Sequence, residues 1–211
     1  MTVLATESSA AKPPAGTAGE AALGVLSDET LMQRVGDGNE AAYRVLMERH
    51  LNRSLGFATR LVGDAAEAEE VMQEAFLRLW RSAPRWQPGA ARFTTWFYRV
   101  VMNLCIDRQR KRRSQAVPLD VAGDPPDGRR GADGDIHARQ VSDRVEDALA
   151  ELPDRQRAAI SLCYLQGLSN KEAAAVLEVN LKALESLLTR GRAALRQRLD
   201  PMKDDLVGIA T

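Results

Sequence analysis

The stretch from Ser114 to about Arg139 constrains the fold more than any other part of the chain. It lacks apolar periodicity, is punctuated by proline and glycine, and carries more aspartate than arginine. A structureless segment of this length is a linker or a functional strap rather than an ordinary loop. The sequence on either side has helical spacing of apolar residues. The chain is therefore predicted to fold as two helical domains joined by a flexible acidic linker.

The composition favours an all-α fold, because alanine, leucine, arginine and glutamate are abundant and aromatic residues make up only 5%. The predicted first domain spans residues 27–113, the linker 114–139 and the second domain 140–200. Residues 1–26 lack a periodic apolar face and are predicted to be a disordered tail. Residues 201–211 form a second predicted tail.

Charge and cysteine content exclude several classes of protein. The formal net charge is zero, so local charge segregation matters more than the total. Cys105 and Cys163 are far apart in apolar helical patterns, which favours buried reduced thiols over a disulfide or a metal site. We expect no metal and no cofactor. The chain has no apolar run long enough for a membrane span and no secretory signal, so a cytoplasmic protein without membrane insertion is predicted.

The first predicted domain contains a helix that is acidic at its start and amphipathic throughout. Asp64 is predicted to cap it, while Val71, Ala75 and Leu79 are predicted to face the core. Acidic residues in a first turn suit the helix dipole, and a solvated outer face is a sufficient explanation of this pattern by itself.

The segment Arg92–Arg113 combines four aromatic residues near its start with five basic residues at its end. Thr94 or Thr95 is predicted to cap this helix, and Trp96, Phe97 and Val101 belong to an apolar band that is expected to pack inward. A solvated helix end is one explanation of the basic run. Five cations within six positions exceed what a helix dipole needs, so phosphate contact is favoured.

The second predicted domain has the plan of a helix-turn-helix. Ser169 and Glu172 form a capping box that opens a short helix, and a longer basic helix begins near Leu181. In this plan the second helix enters the major groove of DNA. An ordinary helical hairpin with a charged surface is the alternative, but capping, turn length and charge together favour DNA binding.

Four segments resemble the extracytoplasmic-function group of bacterial sigma factors. Residues 64–80 (DAAEAEEVMQEAFLRLW) and 93–113 (FTTWFYRVVMNLCIDRQRKRR) resemble two successive motifs of the family's region two. Leu152–Arg157 (LPDRQR) and Gly167–Ala174 (GLSNKEAA) resemble the start and the helix-turn-helix of its region four. The resemblance covers nearly all of residues 27–199.

The resemblance implies a transcription initiation factor that binds core RNA polymerase and promoter DNA. Region two would dock on the clamp helices of the largest polymerase subunit, region four would meet the flap of the second-largest subunit, and an anti-sigma factor is an expected inhibitor. A stress or environmental-response regulon is the expected output. The implied polymerase contacts are Glu69, Gln73, Glu74 and Leu77. The implied contacts to the −10 element are Trp86, Arg92, Phe93, Asn103, Asp107, Arg108 and Arg112, with Trp86 to Phe93 forming a loop that captures a flipped base. The implied contacts to the −35 element are Lys171, Lys182, Glu185, Ser186, Thr189, Arg190 and Arg192.

The recognition helix departs from the family at Lys182–Leu187 (KALESL), where many members carry G-T-V-[KR]-S-R. Glu185 stands where a cation is common, and a glutamate can accept a hydrogen bond from a cytosine amino group. The alternative function is a stand-alone helix-turn-helix regulator with an N-terminal sensor domain. An enzyme is not expected, because the sequence has no glycine-rich phosphate loop and no catalytic triad order.

Overall fold

The computed structural model describes residues 23–89, 91–115 and 136–200. The predicted tails up to residue 22 and from residue 201, and linker residues 116–135, lie outside this range. Every regular element within it is helical, so the all-α prediction is confirmed. The helices are α1 (Asp28–Gly36), α2 (Glu40–Val62), α3 (Ala65–Ser82), α4 (Phe93–Gln115), α5 (Ile136–Ala150), α6 (Asp154–Ile160), α7 (Asn170–Val176) and α8 (Leu181–Leu199).

Helices α1 to α4 form the first half of the molecule (residues 23–115). Helices α2, α3 and α4 pack against one another, and α1 lies across α2 and the 3₁₀ turn Ala83–Arg85. Their shared core includes Leu31, Leu46, Phe57 and Leu79, each fully buried. The predicted inward residues Val71 and Ala75 are also buried, because residues four apart lie on one face of a helix.

Side-chain caps begin the helices of the first half largely as predicted. The Ser27 hydroxyl accepts from the Thr30 N–H at 3.2 Å, and an Asp64 carboxylate oxygen accepts from the Glu67 N–H at 2.8 Å. Gly63 ends α2 in the left-handed region with φ 77°, a conformation that side chains with a Cβ rarely adopt.

Helix α4 has a different cap from the one predicted. Its first residue is Phe93, so Thr94 and Thr95 lie inside the helix rather than before it. The Phe93 N–H donates instead to a Glu29 carboxylate oxygen of α1 at 3.1 Å. A cap from another helix cannot be found from local sequence spacing.

The folded part begins before residue 27, where the predicted tail was expected to end. Leu23 is buried in the core, and Leu26 packs against it. Arg49 donates to the backbone oxygens of Gly24 at 2.6 Å and Leu26 at 2.8 Å. These bonds hold the segment from Leu23 to Leu26 against α2, because the guanidinium of Arg49 donates to its carbonyl groups.

Helices α5 to α8 form the second half (residues 136–200), in which α8 packs on α5, α6 and α7. Helix α5 begins at Ile136, four residues before the predicted domain start. After Ile160, the chain continues as a π-helical turn over Ser161–Leu165, closed by the Gln166 N–H donating to the Ser161 oxygen at 2.9 Å. This wider turn leaves Tyr164 and Leu165 exposed.

Candidate nucleic-acid interface

The outer face of α3 carries an exposed stripe of Glu69, Gln73 and Leu77, spaced four residues apart. Leu77 is 47% exposed although it belongs to an otherwise well-sorted amphipathic helix. Glu74 lies on the neighbouring stripe, half-buried, and accepts from Arg78 Nε at 2.9 Å. The stripe is therefore polar except for Leu77, and a purely solvated face does not require such an apolar residue.

The loop between α3 and α4 rests on an aromatic cluster. Phe93 is fully buried and stacks on Phe97, with ring centroids 5.6 Å apart and planes 12° apart. Trp86 is half-buried, with its ring 5.5 Å from that of Trp96 and 6.3 Å from that of Phe93. The predicted DNA contact by Phe93 is wrong for this conformation, since its ring has no surface left for a base. The exposed described residues of the loop are Gln87, Pro88, Gly89, Ala91 and Arg92.

An ionic cluster of Asp28, Arg49 and His50 supports these rings from below. Asp28 accepts from Arg49 Nη1 at 2.7 Å and lies 2.8 Å from His50 Nε2. The His50 ring is 5.1 Å from Phe93. Burial raises the pKa of Asp28, but hydrogen bonds and charge from His50 and Arg49 outweigh it and lower the pKa below its ordinary value. The ionised carboxylate therefore fixes α1 to α2 beneath the loop.

The polar side of α4 presents Asn103 and Asp107, both exposed and four residues apart. The basic end of the helix is more constrained than its sequence indicates. Arg108 pairs with Glu70 of α3, and Arg112 Nη1 donates to the Val62 oxygen at 3.3 Å. Arg108 and Arg112 thus bind to the protein itself, although Arg112 is exposed like Arg110 and Lys111.

The helix-turn-helix is closed by complete caps at both helix starts. Ser169 and Glu172 make both halves of the predicted capping box, at 3.3 Å and 2.9 Å. The Asn180 side chain then accepts from the Ala183 N–H at 2.8 Å and starts α8. Glu178 occupies the turn with φ 54°, a left-handed conformation unusual for a residue with a side chain. These bonds fix the residues at which α7 and α8 begin.

Helix α8 separates a buried face from a polar exposed face. Leu184, Leu187, Leu188 and Gly191 pack inward. The predicted DNA contacts of this helix are all exposed: Lys182, Glu185, Ser186, Thr189, Arg190 and Arg192. Lys171 is exposed near the start of α7. The structure therefore brings the predicted −35 contacts of α8 to one solvent-facing surface.

A cleft of about 480 Å³ between α6 and α8 was not predicted from the sequence. Its apolar floor includes Val179 and Leu187, and Arg155 and Arg190 are among its polar lining residues. Arg155 therefore joins Ser186 and Arg190 on one surface, although it belongs to a different helix. The only sequence signal for it is its place in a first turn after Pro153.

The described residues contain no group of three or more histidine, cysteine, aspartate or glutamate side chains that could hold a metal ion. Burial raises the pKa of the Cys105 thiol to about 12, which keeps it protonated, and Cys163 is half-buried. In this same part of the chain, each helix is too short or too polar to span a bilayer.

Comparison with known proteins places both halves in one family. Residues 46–115 match the Sigma-70 region 2 family, and residues 142–195 match the Sigma-70, region 4 family. The chain is 35% identical over 181 residues to the ECF RNA polymerase sigma factor SigE of Mycolicibacterium smegmatis, covering 82% of this chain and 69% of the relative. It is 28% identical over 178 residues to the ECF sigma factor SigW of Bacillus subtilis, covering 80% of this chain and 94% of the relative.

Solved structures show the same architecture. CnrH, solved in complex with the cytosolic domain of CnrY, matches with a TM-score of 0.61 at 29% identity, covering 82% of this chain and 97% of that one. The sigma factor RpoE of Bartonella quintana, solved with the anti-sigma factor NepR, matches with a TM-score of 0.59 at 22% identity. It covers 75% of this chain and 96% of that one, and supports the fold alone.

Proposed function

The chain belongs to the extracytoplasmic-function family of RNA polymerase sigma factors, and from this premise we propose how its exposed surfaces act in transcription initiation. The first half binds core polymerase and the −10 element, and the second half binds the −35 element. Sigma factors are initiation factors rather than enzymes. The stand-alone regulator is set aside, because a sensor domain does not account for the region 2 match over residues 46–115.

The observation that carries the polymerase assignment is the exposed Leu77, the one apolar side chain of the Glu69–Gln73–Leu77 stripe. Protein interfaces concentrate binding energy in apolar side chains that are surrounded by polar groups. Leu77 supplies such an anchor, with Glu69 and Gln73 beside it on the same face. Glu74 supports the face through its bond to Arg78. We assign this face to the clamp helices of the largest polymerase subunit.

For the −10 element, the geometry favours different roles for different residues of α4 and the loop before it: some support the loop and others contact DNA. The buried Phe93 and the partly buried Trp86 form the base on which the loop rests. Arg92, Asn103 and Asp107 are exposed, and we assign them to contacts with the opened strand, although Arg92 also pairs with Glu172 in this structure. Arg108 and Arg112 fix the end of α4 to α2 and α3, so they present the exposed Arg110 and Lys111 toward phosphates.

For the −35 element, the exposed face of α8 enters the major groove. Arg190 can donate to a guanine edge or a phosphate, and Glu185 can accept from a cytosine amino group. Arg155, at the rim of the cleft between α6 and α8, adds a cation beside Arg190. This pair extends the positive surface from the recognition helix onto α6. We also assign the second half to a contact with the flap of the second-largest polymerase subunit. The proposed location of the protein is the cytoplasm.

An anti-sigma factor is the proposed inhibitor. The support comes from CnrH, a relative that was solved in complex with the cytosolic domain of CnrY. The proposed output is a stress or environmental-response regulon. Purification of the full chain from its own cells would identify the inhibitor as a protein that is bound to the chain. This protein should dissociate from the chain when transcription from the regulon rises.

The test of the polymerase assignment is Leu77→Asp, measured as the affinity for core RNA polymerase by fluorescence anisotropy. Losing an apolar anchor and burying a carboxylate should weaken binding by tenfold or more. Val25→Asp is the matched control, because Val25 is 84% exposed and lies outside the α3 face. Equal affinity of the Leu77 and Val25 variants would exclude the α3 face as the polymerase contact.

A further inference from the structure

The π-helical turn at Ser161–Leu165 presents a tyrosine beside the recognition helix α8. Tyr164 is 55% exposed, so its ring contributes little to the core. Its hydroxyl oxygen accepts from Arg192 Nη1 of α8 at 3.1 Å. Thr189 Oγ1 lies 3.5 Å from Nη2 of the same guanidinium. Two hydroxyl groups, one from the turn and one from α8, therefore hold the same arginine.

The fold fixes the position of this turn relative to α8. The Leu168 N–H donates to the oxygen of the buried Leu162 at 3.0 Å, which closes the chain after the turn. On the side of α8, a Cβ on Gly191 would lie 3.0 Å from Ile160 Cγ1, so α6 and α8 approach closely next to Arg192. A π turn accommodates one more residue than an α-helical turn and changes the direction of the side chains near its end by up to about 100°.

The charge of Arg192 is not paired with a carboxylate. In the same half, Arg157 pairs with Asp154, and Arg198 pairs with Glu151. Within the described residues, Arg192 forms no ion pair, and the two groups that hold it are hydroxyls. A guanidinium that is held in place without a counter-ion favours an anion as its partner.

The two hydroxyls also have protons left to donate. A hydroxyl can donate one hydrogen bond while it accepts another, and each of these oxygens faces an N–H group of Arg192. The O–H groups of Tyr164 and Thr189 can therefore donate outward, together with the remaining N–H groups of Arg192. A phosphate group matches this set of donors, because it carries negative charge and several acceptor oxygens.

We propose that Tyr164, Thr189 and Arg192 form a phosphate-binding site for the backbone of the −35 duplex. Arg192 supplies the charge, and Tyr164 holds its guanidinium and donates to the same phosphate group. Phosphate contacts fix the position of a protein along a duplex, so this site would place Glu185 and Ser186 opposite the bases. Arg192 is thereby assigned to the DNA backbone rather than to a base. The inference rests on the proposed function, because it takes the −35 surface of α8 from it.

The experiment compares Tyr164→Phe with Tyr43→Phe in the full chain bound to core RNA polymerase. Both substitutions remove a hydroxyl and keep the ring, but Tyr43 lies in α2, where its hydroxyl donates to the Phe76 oxygen at 3.3 Å. Arg192→Ala and the double variant Tyr164→Phe/Arg192→Ala complete the set. Fluorescence anisotropy at several salt concentrations measures binding of a promoter duplex whose −35 element has been mapped by run-off transcription.

Tyr164→Phe is expected to weaken binding about three- to tenfold, and Tyr43→Phe should bind like the wild type. Arg192→Ala should weaken binding roughly tenfold or more and lower the slope of log affinity against log salt by about one, because one phosphate contact is lost. Tyr164→Phe removes no charge and should keep the wild-type slope. In the double variant, the change at Tyr164 should cost less than about twofold, because both side chains serve one phosphate group.

A second measurement identifies the ligand of the site. In a series of duplexes, a neutral methylphosphonate replaces the phosphates of the −35 element one at a time. The wild type and Tyr43→Phe should lose affinity at the contacted position. At that position, Arg192→Ala and Tyr164→Phe should be less sensitive to the replacement, because they have already lost part of the contact.

Two results would overturn the inference: a Tyr164→Phe variant that binds as tightly as Tyr43→Phe, or a series in which every methylphosphonate weakens the wild type and Arg192→Ala equally. The second result would mean that the three side chains bind a base edge or a free phosphate instead. Circular dichroism checks that each variant keeps its helices. Failure of the proposed function is a separate result, because the wild type would then show no preference for the −35 sequence and give no transcript with core polymerase.

Discussion

Asp28 connects the packing of the first half to its charge. Its carboxylate bonds Arg49 and lies 2.8 Å from His50, whose ring packs on the buried Phe93 below the proposed −10 loop. A partly buried carboxylate with two basic partners is stabilised only while it is ionised. Protonation of Asp28 would therefore weaken its bonds to α2 next to the residues that support the loop.

Asp28→Asn should destabilise the protein at pH 7 by about 1–3 kcal/mol, because hydrogen bonds between charged groups are lost. The pKa of Asp28 is lowered in the folded state, so its stabilisation is complete above the ordinary pKa of about 3.8 and disappears as the pH falls through the folded value. Urea unfolding at pH 7 and at pH 3 measures the difference. Asp37→Asn, at an exposed position, should change stability by less than about 0.5 kcal/mol. A difference for Asp28→Asn that is the same at both pH values would contradict this assignment.

Arg190→Ala should weaken binding of a duplex that carries the −35 element by about 1–3 kcal/mol if Arg190 reads a base. Fluorescence anisotropy at several salt concentrations measures it, because loss of a phosphate contact instead lowers the slope of affinity against salt. Arg196→Ala is the control, since Arg196 is exposed in the last turn of the same helix. Binding that matches wild type at every salt concentration would remove Arg190 from the interface.

At single residues, the sequence predicted exposure better than contact. Helical periodicity assigned Lys182, Ser186 and Arg190 to the outside of their helix, where they lie. The burial of Phe93, a predicted DNA contact, was not foreseen, because it depends on rings and a histidine from α2 and α4 that come together only in the fold. A change of Phe93 to alanine would thus test folding rather than promoter opening.

Among the elements, α1 contacts the turn after α3 closely enough to require a glycine. A Cβ on Gly36 would lie 2.7 Å from the Ala83 oxygen and 3.1 Å from the Ala83 carbonyl carbon. Both atoms are backbone, so the helix or the turn would have to move. The close contact fixes the distance between α1 and the start of the loop that follows Ala83.

Gly36→Ala should therefore lower the free energy of unfolding by about 1–3 kcal/mol. Gly56→Ala is a matched control in α2, where the nearest atom to the new Cβ is Arg60 Nη1 at 3.4 Å on a flexible side chain. Replacing glycine by alanine within a helix otherwise stabilises by about 0.5–1 kcal/mol. Thermal and urea unfolding compare the two. Similar stability of both variants would show that α1 is not held at this distance.

Local signals explain how much of each element could be predicted. Ser27, Asp64 and the Ser169–Glu172 box begin their helices as expected, since a cap involves residues only three apart. Glu29 capping α4 connects residues 64 positions apart, and periodicity contains no information about it. The π turn at Ser161–Leu165 was also missed, because its residues have ordinary helical spacing in sequence.

For the whole molecule, the sequence predicted the kind of architecture but not how its halves meet. The pattern-free segment and the helical spacing on either side of it indicated two helical parts, and the matches to region 2 and region 4 of sigma factors agree with them. The contacts of Arg60, Tyr98 and Arg99 with the second half connect residues far apart in sequence, so no spacing rule could reveal them.

The most direct test of the proposed sigma-factor function is run-off transcription with purified core RNA polymerase and the full chain on a promoter from its own genome. We expect a transcript from one start site that depends on the protein and on both promoter elements, and that falls strongly with Leu77→Asp. A protein that binds promoter DNA by itself but never directs core polymerase to a start site would contradict this function.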